Sequence, residues 1–90
     1  MNLTWDEATR RSNVVKHGID FDDALEFAWQ DAVRFPDARR DYGESRFLAL
    51  GTFRGRVHCV SYTMRDGVYR IISFRKANRR EARRYEKEKN

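Results

Sequence analysis

The 90-residue chain has one cysteine, Cys59, one proline, Pro36, and five glycines. A lone thiol excludes an internal disulfide framework and any all-cysteine metal site. So few prolines and glycines leave no linker or low-complexity segment. No apolar run approaches the ~18 residues of a membrane helix. The opening Met1-Asn2-Leu3-Thr4-Trp5-Asp6 lacks the basic start and apolar stretch of a secretory signal. Carboxylates and histidines nowhere pair at metal-ligand spacing, and no nucleophile-elbow motif is present. The expectation is a cytoplasmic protein with no membrane segment, structural metal or cofactor.

What remains is 40% hydrophobic and 37% charged, enough for one small core, so residues 1–90 are expected to form a single domain. The net charge of +5 hides an asymmetry. Residues 1–45 carry 6 basic and 10 acidic side chains, whereas residues 46–90 carry 13 and 4. One surface therefore suits a polyanion.

Leu3-Thr4-Trp5 reads as a short edge strand. Asp6 can cap a helix over 7–17, which Gly18 would end, with Lys16 and His17 facing the negative dipole end. Asp20 starts a second predicted helix, with Ile19 and Ala24 as a staple and Phe21, Ala24, Leu25, Ala28 and Trp29 as its apolar face. Val33–Phe35 is a possible short strand. Three more follow over Arg46–Phe53, Val57–Met64 and Val68–Phe74, joined by glycine-containing turns at Arg54-Gly55-Arg56 and Arg65-Asp66-Gly67. Ile71-Ile72 is apolar on both faces, which predicts a strand covered on both sides. Asn78 and Glu81 have capping-box spacing at the start of a final helix. That helix places Glu81, Ala82 and Tyr85 on one face and Arg79, Arg80, Arg83 and Lys87 on another. The class is α+β: two N-terminal helices, a small antiparallel sheet and a C-terminal helix.

Trp5-Asp6, Lys16-His17-Gly18 with Phe21, Glu44-x-Arg46, Arg65, and Arg70-Ile71-Ile72-Ser73-x-Arg75-Lys76-Ala77 with Glu81 and Tyr85 occur in one order from Trp5 to Glu86. This ordered set resembles the BrnT family, ribonuclease toxins of type II toxin–antitoxin pairs. The resemblance implies a compact RelE-like fold, an RNA substrate and a cognate BrnA-like antitoxin whose dimer bridges two toxins. The chain departs from the family pattern at Phe74, where a small residue is usual, at Asn78 in place of Thr, and over Phe27–Ala32.

RNA can be cut by attack of its own 2′-hydroxyl on the adjacent phosphorus. A protein must then supply a proton acceptor, a donor for the leaving 5′-oxygen, and cations for the phosphorane. The products are a 2′,3′-cyclic phosphate and a 5′-hydroxyl. Arg65 and Arg75 are the expected phosphate ligands, read as converging with Ser73 near one end of the sheet, because a guanidinium fork suits phosphate oxygens. Either arginine could instead form a structural ion pair. Two-residue alternation puts Arg70 on the side opposite Ser73 and Arg75. Glu81 is a candidate base, an orienter of arginine, or simply the capping-box partner of Asn78. Lys16 and His17 are candidates for proton transfer as well as ordinary helix-end cations. Lys76, Arg79, Arg80 and Arg83 are expected to hold RNA. His58, Cys59, Trp5 and Trp29 read as packing residues. A non-catalytic nucleic-acid- or protein-binding module would need only the stripe of Arg79, Arg80, Arg83 and Lys87. An antitoxin covering the cationic surface should bring acidic side chains.

Overall fold

The computed structural model describes residues 1–89. In chain order they form β1 (Leu3–Trp5), α1 (Glu7–His17), two 3₁₀ turns (Phe21–Glu26 and Trp29–Asp31), β2 (Val33–Pro36), β3 (Phe47–Phe53), β4 (Arg56–Arg65), β5 (Val68–Lys76) and α2 (Arg79–Lys89). The five strands make one sheet in the order β1-β5-β4-β3-β2. β1 runs parallel to β5 and every other pair is antiparallel. The sheet is therefore larger than the small antiparallel one expected, and mixed, because the N-terminal strand pairs with the last one. No helix among the described residues is long and apolar enough to cross a membrane.

α1 forms as its caps dictate. Asp6 accepts from the Thr9 amide at 3.0 Å, and Gly18, at φ 68°, donates to the Val14 carbonyl. The second N-terminal helix is not an α-helix but the pair of 3₁₀ turns. The period decides: at three residues per turn Phe21, Ala24 and Phe27 align and are all buried, whereas Leu25, on the expected apolar face, is 67% exposed. Phe27 then turns extended, and the Ala28 amide bonds the Thr52 carbonyl of β3. Gly51 permits this approach, since a Cβ there would lie 2.8 Å from the Phe27 ring.

The β3–β4 and β4–β5 hairpins close through two-residue loops, Arg54-Gly55 and Asp66-Gly67, all at positive φ. That is the type I′ geometry matching strand twist. One face of the sheet packs under the 3₁₀ turns around Phe21, Phe27, Trp29, Phe53, Tyr62, Ile71 and Phe74. The other carries a smaller cluster, Leu48, Leu50 and Cys59, with Phe35 and the Tyr85 of α2 against it.

Between the pairs Ser61–Ser73 and Tyr62–Ile71 the register slips, leaving Ile72 as an extra residue in β5. This bulge reverses the alternation of the strand. The pairings Thr63–Arg70, Ser61–Ser73 and Cys59–Arg75 put all three β5 side chains on the α2 face. Arg70 thus shares a face with Ser73 and Arg75, contrary to simple alternation. Beyond the three residues covered by β1, the edge of β5 is closed by Asn13. Its side-chain amide donates to the Phe74 carbonyl at 2.8 Å and accepts from the Phe74 amide at 3.1 Å, while also donating to the Ile19 carbonyl. A buried asparagine so replaces a rung of sheet.

Candidate functional site

Arg75 lies one residue from the end of β5 and faces α2. Its guanidinium donates to both carboxylate oxygens of Glu81, at 2.7 and 3.0 Å. Glu81 also accepts from the Asn78 amide at 2.9 Å, and Asn78 Oδ1 accepts from the Glu81 amide at 2.8 Å. The capping box expected from spacing is formed, and the same carboxylate orients the arginine. Burial opposes the charge on Glu81, but the Arg75 and Asn78 hydrogen bonds outweigh it and hold its carboxyl below the usual range. Glu81 raises the pKa of Arg75 in return. Cys59 lies beneath the pair, its thiol pushed up to about 12 by burial, so it is no nucleophile near neutral pH.

Lys16 and His17 end α1 against the same stretch of β5. With Ser73, Ile72 and Asn13 they line a recess of about 140 Å³. Burial lowers the His17 pKa, and the positive charges of Arg75 and Lys16 lower it further. Both effects favour the neutral imidazole, the form that accepts a proton. The recess groups Lys16, His17 and Ser73, and the Arg75–Glu81 pair stands at the next outward-facing position of β5, near enough for the Arg75 charge to act on His17.

Arg65 does not join them. It pairs with Val68 at the far end of the hairpin, whereas Arg75 pairs with Cys59. Six residues of β4 separate those pairs, about 20 Å at ~3.3 Å per residue. The two strand ends read as converging are opposite ends. Arg65 is exposed, with Glu44 at 3.5 Å, and Glu44 is also bonded to Arg46 at 3.0 Å. Lys76 pairs with His58, which puts it on the face away from Arg75. Arg79, Arg80 and Arg83 are exposed along α2 as expected. His58 packs on Phe53 and Phe74 with Nδ1 2.8 Å from the Arg56 carbonyl, a structural position. Trp29 is core, its Nε1 donating to the Ala24 carbonyl.

Sequence reasoning missed three groups. Asn13 looked like one polar helix residue among several. Asp37 and Arg39, in a polar stretch with no periodicity, form a two-point ion pair at 2.8 and 2.7 Å, joined by the Tyr42 hydroxyl. Arg84 stacks on Phe35, with 3.7 Å between guanidinium carbon and ring centroid. A cation–π spacing across two distant elements leaves no mark in sequence. Among the described residues no three His, Cys, Asp or Glu side chains are grouped as metal ligands.

A search of curated proteins gives no match. Among solved structures, the crystal structure of the Brucella abortus ribonuclease toxin BrnT is similar, with a TM-score of 0.72 and 34% identity over 88% of this chain and 99% of that one. Residues 5–81 match the family described as "Ribonuclease toxin, BrnT, of type II toxin-antitoxin system". That match runs from the last residue of β1 into the first turn of α2, and with it come Lys16, His17, Ser73, Arg75 and Glu81. The chain belongs to the BrnT family of ribonuclease toxins.

Proposed function

We propose that the chain is a metal-independent endoribonuclease whose reaction centre is the neighbourhood of His17, Lys16, Ser73, Arg75 and Glu81. The observation that carries this reading is that Lys16, His17 and Ser73 line one recess beside the end of β5, the strand that carries Arg75, whose guanidinium is held on both carboxylate oxygens of Glu81. The neutral His17 takes the proton of the RNA 2′-hydroxyl as that oxygen attacks phosphorus. Arg75, held in place by Glu81, faces the charge growing on the phosphoryl oxygens. The P–O5′ bond breaks, and the Lys16 ammonium gives its proton to the leaving oxygen. A 2′,3′-cyclic phosphate and a 5′-hydroxyl result. Ser73 donates to a non-bridging oxygen.

RNA runs from this centre along the α2 face of β5, past Arg70, to Arg65. At about 20 Å that arginine is a remote backbone contact rather than a member of the centre. Arg79, Arg80 and Arg83 add attraction for phosphates, and Lys76 contributes only from the opposite face. The cell-level role is arrest of growth through cleavage of RNA needed for translation, in the cytoplasm, by a domain of RelE-like kind. A BrnA-like antitoxin, dimeric and bridging two toxins, silences it by covering the α2 arginines with acidic side chains.

The test is incubation of the purified chain with RNA in EDTA, followed by end-group analysis. Fragments with cyclic phosphate and 5′-hydroxyl ends are expected. Binding without cleavage would leave a nucleic-acid-binding module.

A further inference from the structure

A cleft of about 290 Å³ opens between the first turns of α2 and the end of β2. Its floor is Leu48 and Phe35, its inner wall is the Arg75–Glu81 pair, and its rim carries Arg39, Arg80 and Arg84. We propose that this cleft is a nucleotide subsite: a base stacks on the outer face of the Arg84 guanidinium, and Arg80 takes the attached phosphate. The proposal rests on the ribonuclease reading, since the cleft shares Arg75 and Glu81 with the reaction centre and would hold the nucleotide next to the cut.

Charge balance gives the first argument. The two carboxylates in the cleft are already committed, Asp37 to Arg39 and Tyr42, and Glu81 to Arg75 and Asn78. Among the described residues no carboxylate lies within ion-pair distance of Arg80 or Arg84. Two guanidinium groups on one helix, four residues apart, thus face the cleft with no internal counter-charge. Unsatisfied cation at a concave site calls for an anion.

Shape gives the second. Arg84 lies over Phe35 at 3.7 Å, so its plane is held before any ligand arrives. A guanidinium fixed in this way is a stacking platform for an unpaired base. Arg84 covers the Phe35 ring, so the base meets the guanidinium plane, and the cationic rim suits its phosphate. A protein partner needs roughly 800 Å² on each side, far more than this compact cleft offers.

The test uses the full chain and nuclear magnetic resonance titration with the four nucleoside 3′-monophosphates, with inorganic phosphate as control. At least one nucleotide should shift the Arg84 Nε–Hε signal and the amides of Phe35 and Leu48, and should bind about tenfold tighter than phosphate. R84K keeps the charge but removes the plane. It should bring nucleotide binding down to the level of phosphate, while phosphate binding stays within about twofold. With RNA, R84K should blur base preference beside the cut. Equal binding of nucleotides and phosphate would overturn the subsite. So would an R84K cleavage pattern identical to that of the wild type, although the ribonuclease reading would survive it. Nucleotide binding through Arg84 in a chain that cuts no RNA would uphold the subsite and sink the enzyme. An acidic, apolar peptide that moves the same amides while all four nucleotides leave them still would assign the cleft to a protein and overturn the proposal.

Discussion

The two faces of the sheet are built on different chemistry. Under the 3₁₀ turns lies a dry aromatic layer, in which Phe27, Trp29, Phe53, Tyr62 and Phe74 meet edge to face at centroid distances of 4.9 to 6.0 Å. Under α2 the apolar cluster shrinks to Leu48, Leu50 and Cys59, and no residue of α2 is fully buried. Charged pairs and unpaired arginines fill the remaining space. The first face holds the domain together. The second leaves most of the length of α2 exposed. In a small domain with a thin stability margin, this division lets the charged face tolerate groups that a core would reject.

The largest expected effect tests the division directly. Phe74→Ala should cost about 3–5 kcal/mol, enough to unfold much of the population at 37 °C. Tyr85→Ala, on the half-buried helix, should cost about 1 kcal/mol. Thermal unfolding of the two variants measures both, and equal losses would erase the distinction between the faces.

Next come the groups of the proposed reaction centre. Glu81→Gln keeps an acceptor for the Asn78 amide but weakens its hold on Arg75. RNA cleavage should fall about 10–100-fold while the melting temperature drops only a few degrees. A full-rate variant would reduce Glu81 to a cap. Because only neutral imidazole accepts a proton, cleavage should fall as pH drops through the His17 pKa, which lies below the usual 6.5. His17→Asn should abolish that acid limb along with most of the rate.

The third prediction concerns stability in acid. Arg39 holds the Asp37 carboxyl down at about 2 from its ordinary 3.8. A depressed carboxylate stabilises the fold above its unfolded pKa and loses that contribution as pH falls through its folded one. The window is therefore about pH 4 down to pH 2. After discounting for the exposure of Arg39, the loss should be about 1–2 kcal/mol. Asp37→Asn should flatten that part of the pH–stability curve.

The smallest effect sharpens the geography of the charged face. Arg65→Ala should change stability by less than about 0.5 kcal/mol. It should raise KM for RNA about two- to fivefold with kcat unchanged, the signature of a remote contact. A large drop in kcat would move the centre 20 Å away, at ~3.3 Å per strand residue, to the other end of the hairpin.

Much of this organisation was legible in the residues. Caps at Asp6, Gly18 and Asn78 mark helix ends because their hydrogen bonds are local. The hairpins announce themselves through Arg54-Gly55 and Asp66-Gly67. The failures share a cause. Helical and 3₁₀ periods differ little over six residues, and only the packing of Phe27 under Gly51 selects the shorter period. The bulge at Ile72 depends on β1 and Asn13 closing one side of β5 while β4 closes the other, so strict alternation misplaced Arg70. Arg65 and Arg75 looked alike as strand-end arginines. Only strand direction shows that one sits beside the start of α2 and the other beside a turn.

The hydrogen bonds between Asn13 and Phe74 join residues 61 positions apart, and among the described residues β1 pairs with β5 alone. The N-terminal strand and helix therefore reach their places at the edge of the sheet only once β5 is present. Arg75 gains its partner Glu81 only six residues further on. The proposed reaction centre therefore draws on residues 16 and 17 at one end and residues 73 to 81 at the other, and a nascent stretch that lacks either is without it.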